Sequence, residues 1–114
     1  MLEVKVEKLW GHERILHNVG GYCMKELTLN QGYQSSLHMH REKDETFYVA
    51  KGIIELELGC RDCKVNVLGP GEWANVPPKM WHRFRAISGK ATVVEASTEH
   101  RDYDVYRKEE SRTI

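Results

Sequence analysis

The feature that most constrains this chain is the two-residue alternation in "GIIELELG" and "KVNVLG". In the first stretch Ile54, Leu56 and Leu58 share one face and Glu55 and Glu57 the other; in the second, Val65 and Val67 oppose Asn66. A period of two is that of a half-buried strand. Further strands are predicted over Tyr22–Leu29 and residues 36–40, 46–50, 72–76, 81–86 and 91–96, separated by the turn signals "NQG", "AKG", "LGPG", "PPK" and "ISGK". Short strands with a turn roughly every eight to twelve residues predict an all-β sandwich or barrel. Helical character is confined to a short turn near "TEHRDYDVY". At the start, "LEVKVEKL" (residues 2–9) alternates apolar with charged residues, as an added edge strand would. Exposed edges are normally paired or covered, so this segment predicts a homodimer in which it joins a sheet. The closing "RKEESRTI" (residues 107–114) is polar and expected to fray.

A chain of 114 residues has room for one domain, with a core large enough to fold without staples. Lysine plus arginine balances aspartate plus glutamate, 17 against 17, so neither nucleic acid nor an anionic membrane is an expected partner. No apolar run reaches about 18 residues, and the opening segment lacks an apolar export signal. A cytoplasmic protein is expected. The three cysteines, Cys23, Cys60 and Cys63, make no disulfide framework. "CRDC" has no second pair and lies between two alternating segments, which reads as a hairpin tip.

The chemistry concentrates in "SLHMHREKDETFYVAKG", residues 36–52. His38 and His40 are two apart, so on a strand their imidazoles point to one side and converge, as metal ligands must. With its flanking glycines the stretch reads Gly32, His38, His40, Glu45, Gly52; downstream, "GEWANVPPKMWHRFRA" supplies Gly71, Pro77 and His82. This spacing resembles the two motifs of the cupins, matching the first at each defining position. The second departs at Lys79, where the family has Gly, and at Ala86, where it often has Asn. The resemblance spans roughly residues 20–100 and implies a small jelly-roll barrel, a double-stranded β-helix, with the N-terminal edge strand and the C-terminal tail outside it. It also implies one divalent metal per chain on His38, His40, Glu45 and His82. The residues agree with that set: "REKD" reads as a loop that turns Glu45 back inward, and His82 arrives from another strand after a proline-stiffened turn. Three imidazoles and one carboxylate suit zinc, manganese, iron or nickel.

A narrower resemblance, to the cupin domains of type II mannose-6-phosphate isomerases and related sugar isomerases, rests on Trp10–Gly11, Lys25 and the closing run Asp104, Val105, Tyr106, Arg107. His38 stands where the mannose-6-phosphate enzymes commonly have Gln, a ligand set more like that of lyxose-type isomerases. The resemblance implies aldose–ketose isomerisation of a sugar or sugar phosphate. That chemistry needs a metal gripping two substrate oxygens and a base in reach. Lys25 and Lys79 are the catalytic candidates, with His100 and Tyr33 as other bases. Trp81, Arg85 and Arg107 are candidates for substrate binding, Trp81 by stacking on a sugar face and the arginines by gripping a phosphate. Most other aromatics read as core. Two alternatives stand beside the isomerase: an iron dioxygenase, and a non-catalytic sugar-binding or sensor domain.

Overall fold

The computed structural model describes residues 4–114. In chain order the strands are β1 (Val4–Lys8), β2 (Gly11–Val19), β3 (Tyr22–Leu29), β4 (Tyr33–Gln34), β5 (Leu37–Met39), β6 (Glu45–Lys51) and β7 (Ile54–Leu58). They continue with β8 (Lys64–Leu68), β9 (Trp73–Val76), β10 (His82–Ala86), β11 (Ala91–Thr98), β12 (Tyr106–Glu109) and β13 (Arg112–Thr113), with a single 3-10 turn at Asp102–Asp104. They form a six-stranded sheet ordered β1-β2-β3-β11-β6-β9, a five-stranded sheet ordered β12-β5-β10-β7-β8, and the small pair β13-β4. Every pairing is antiparallel. The all-β sandwich or barrel expected from the alternation is observed, and it is the jelly roll that the resemblance implied.

Both large sheets turn their apolar faces to one core. Leu27 and Leu29 of β3, Phe47 and Val49 of β6 and Val93 of β11 meet Ile54 and Leu56 of β7 and Phe84 of β10 across the interior. Trp10, in the β1–β2 turn, sets its ring edge-on against Phe84, with centroids 5.2 Å apart. The following Gly11 has φ +150°, and a Cβ there would collide with the Thr28 carbonyl, so the strands meet closely only because position 11 has no side chain. The Trp-Gly pair is thus an anchor and a point of close approach.

Four strands escaped the sequence reading. β2 is half-buried along most of its length, which blurs any inside-outside alternation. β4, β12 and β13 are short, and β12 and β13 are exposed throughout. The expected fraying of residues 107–114 is corrected: β12 pairs with β5, and β13 with β4, because their amides complete ladders whatever their side chains do. The sheets therefore take in strands on both sides of residues 20–100. β1 is the edge strand anticipated at the N-terminus; residues 2 and 3 of that segment lie outside the described residues. The β7–β8 hairpin carries Cys60 and Cys63 at its exposed tip, both as free thiols. No helix among the described residues is long and apolar enough to cross a membrane.

Candidate metal centre

A cavity of about 520 Å³ is lined by residues of several strands, among them Lys25 of β3, His38 of β5, Glu45 of β6, Phe84 of β10 and Glu95 of β11. His38 on β5 lies directly opposite His82 on β10 in the ladder, and His40 follows two residues along. The three imidazoles each offer a ring nitrogen within 4.8 Å of the others. Their orientation has a common cause. His38 Nδ1 lies 3.0 Å from the Ser36 carbonyl, His40 Nδ1 2.8 Å from that of Asp104, and His82 Nδ1 2.9 Å from that of Met80. A carbonyl oxygen only accepts, so Nδ1 of His40 and His82 carries the proton and Nε2 is left with a lone pair; His38 Nδ1 also meets the Ser36 hydroxyl at 3.0 Å, and its carbonyl contact favours the same tautomer. Burial, followed by the neighbouring His82 and His40, pushes the pKa of His38 down to about 3. Burial also lowers that of His40, outweighing the attraction of Glu45. Both rings are therefore neutral near pH 7, the form that binds metal.

Glu45 opens β6, after a loop bent at residues 41 and 42 turns the chain back toward the histidines. Its Oε1 lies 2.9 Å from His82 Nε2 and 3.6 Å from His40 Nε2. Glu45 Oε1 and His82 Nε2 are both buried, and neither has a hydrogen-bond partner. With the His82 proton held at Nδ1, two lone pairs face each other at this distance, an arrangement that needs positive charge beside it. Burial raises the Glu45 pKa, and the Lys43 ammonium, 3.2 Å from its other oxygen, opposes this and favours the ionised carboxylate. The three imidazole nitrogens fit a divalent transition metal, with the Glu45 carboxylate beside two of them.

Around this cluster lies a buried polar layer that the sequence reading passed over. The Lys43 ammonium sits 2.7 Å from Glu95 Oε2 and 3.2 Å from Glu45 Oε2. Burial disfavours its charge, yet those two carboxylates raise its pKa above the ordinary lysine value. Glu95 was legible by alternation, since Ala91, Val93 and Glu95 share the inward face of β11. Lys43 was hidden in "REKD", where four consecutive charges look solvated. Asp104 holds the same loop: its carboxylate accepts backbone N–H groups from Arg41, Glu42 and Lys43 at 2.9, 3.0 and 3.1 Å.

The other candidates divide. Lys25, His100 and Arg107 line the cavity. Lys25 is only 3% exposed and has Glu13 at 3.5 Å. Lys79, Trp81, Arg85 and Tyr33 are not among its lining residues. Arg85 is three residues from His82 on β10, so the pleat turns it to the outer face, where it pairs with Glu55 at 2.7 Å. Trp81 stands beneath the Lys108 ammonium, 5.4 Å from its ring centroid. Lys79 is exposed in the turn before β10 with φ +69°, and its amide donates to the His40 carbonyl at 2.6 Å.

Comparison with known proteins agrees with this architecture. The family model described as Cupin domain matches residues 25–98. CapF, a capsular polysaccharide assembling protein from Staphylococcus aureus, superposes with a TM-score of 0.84 at 14% identity over 95% of this chain and 34% of its own. Oxalate decarboxylase from Bacillus subtilis gives 0.83 at 15% identity, over 93% of this chain and 30% of its own. KdgF from Halomonas sp. gives 0.72 at 22% identity, over 81% of each chain. The chain thus spans about a third of the first two proteins. No curated protein sequence matches it significantly.

Proposed function

We propose that this chain, which belongs to the cupin family, is a metal-dependent isomerase of a small sugar or sugar phosphate, with His38, His40, Glu45 and His82 as ligands. The observation that carries the metal reading is the pair of buried, unpartnered atoms, Glu45 Oε1 and His82 Nε2, facing each other beside two further imidazoles. A divalent ion bound there would polarise a substrate carbonyl and favour negative charge on the adjacent oxygen. The chain's own residues supply the rest. Lys25, buried in the cavity wall with the Glu13 carboxylate 3.5 Å away, is placed to carry a proton at Nζ. Arg107 lines the same cavity and offers a planar fork for a phosphate or carboxylate. Trp10, Phe47 and Phe84 close the apolar side and keep bulk water from the reacting end.

Support for sugar chemistry comes from this polar lining and from the resemblance at Trp10–Gly11, Lys25 and Asp104–Arg107. Fold alone does not choose, since a capsular polysaccharide assembling protein and a decarboxylase share it. The test is metal analysis of protein purified without chelators, then a panel of pentoses, hexoses and their phosphates in deuterated buffer. Deuterium entering C2, abolished by chelator and reduced in Lys25→Ala more than metal content is, supports the isomerase. Oxygen uptake without C2 exchange points to the dioxygenase, and sugar binding without turnover to the sensor.

A further inference from the structure

We infer that Lys43 fixes how Glu45 presents its carboxylate, occupying Oε2 so that Oε1 alone is offered to a metal; this rests on the metal reading above. The Lys43 ammonium is surrounded by three acceptors: Glu95 Oε2 at 2.7 Å, His100 Nδ1 at 3.1 Å and Glu45 Oε2 at 3.2 Å. The other oxygen of Glu45 faces His82 and His40. The two oxygens of one carboxylate therefore have different partners. A carboxylate with both oxygens free can close on an ion through both; one held at Oε2 binds through Oε1 and leaves a coordination position to substrate.

The supports of Lys43 are themselves fixed. Ser97 Oγ lies 3.2 Å from Glu95 Oε2 and 2.8 Å from the Thr98 carbonyl, its one hydrogen serving these two acceptors. Asn18 holds the backbone of His100 from both sides, accepting its N–H at 2.7 Å and donating to its carbonyl at 3.0 Å. The His100 ring accepts from Lys43 at Nδ1, which leaves Nε2–H to donate to Asp102 at 3.2 Å. Residues on β2 and β11 thereby set the angle of one ligand on β6. Charge follows the same division: Glu95 balances the ammonium and leaves the charge of Glu45 for the ion. With its ammonium enclosed, Lys43 is a positioning residue and not a base.

Replacing Lys43 alone would strand the Glu95 charge in the interior, so the test uses the double variant Lys43→Met/Glu95→Gln, which removes both charges together. Wild type and variant are checked for fold by circular dichroism, then titrated with Co(II) against a competing chelator. The expected result is roughly tenfold or more weaker binding in the variant. Its visible Co(II) band should also weaken, because band intensity falls as the coordination number rises. A folded variant with wild-type affinity and band overturns the inference and leaves the metal reading standing. A wild-type protein that takes up no Co(II) overturns both.

Discussion

His40 Nδ1 donates to the backbone carbonyl of Asp104 at 2.8 Å, joining residues 64 positions apart. The Asp104 side chain meanwhile binds three consecutive amides of the loop between His40 and Glu45. One residue thus orients a candidate ligand and pins the loop that delivers the next.

This arrangement makes Asp104 an acid-sensitive element. Burial acts to raise its pKa, but the amides of Arg41, Glu42 and Lys43, with His40 nearby, lower it overall. A depressed carboxylate contributes stability that is present above its ordinary value, near pH 4, and lost as pH falls through the lower folded value. Asp104→Asn should destabilise the metal-free protein at pH 7 by about 1–3 kcal/mol. The gap from wild type should close on acidification below about pH 4. Urea unfolding at both pH values checks it, and a constant gap counts against the assignment.

Loss of any one ligand should strip metal while sparing the fold. His38→Ala, His40→Ala, His82→Ala and Glu45→Gln should each lower metal content sharply in elemental analysis. Their circular dichroism should stay near that of wild type, since the core is built from the alternating strands. Chelation should lower the melting temperature of wild type and leave that of the variants unmoved. Full metal occupancy in His38→Ala/His82→Ala would sink the four-residue site.

Lys79 is the one non-glycine among the described residues with positive φ. A left-handed conformation costs an L-residue about 1–2 kcal/mol, partly offset by the greater chain entropy that glycine loses on folding. Lys79→Gly should therefore raise stability by up to about 1 kcal/mol. Metal content should be unchanged, because the amide that reaches the His40 carbonyl is kept. A lower urea midpoint would show that the lysine side chain contributes more than the strain removes.

β1 bonds to β2 on one side and ends the six-stranded sheet on the other. Its free edge is expected to pair in a homodimer. Light scattering at micromolar concentration should give twice the chain mass, and deletion of residues 1–8 should give a monomer. A monomeric full chain removes this expectation.

In β7 alternation told inside from outside, since Ile54 and Leu56 are buried; in β8 it did not, since Val65 and Val67 are exposed while Asn66 is half-buried. The same rule turns Arg85 away from the cavity and Glu95 into it, although neither was read that way. Spacing brought His38 and His40 together, and a motif resemblance was needed to add Glu45 and His82. Illegible were features made by backbone groups: β12 and β13 are held by ladder bonds, and the three imidazoles by carbonyls that carry no residue identity. Lys43 was missed for a different reason. Its partner Glu95 is distant in sequence, and a lone lysine in a charged run gives no sign of burial.

The pairing of β12 with β5 and the grip of Asp104 on His40 and its loop have a consequence for the order of events during synthesis. As the chain leaves the ribosome, His38, His40, Glu45 and His82 emerge before the residue that orients one of them and steadies the loop to the next. The nascent chain can bring these four side chains together, yet His40 and its loop are not steadied until Asp104 and β12 have docked. Ordering of the candidate site is thereby tied to the emergence of residues 104–109.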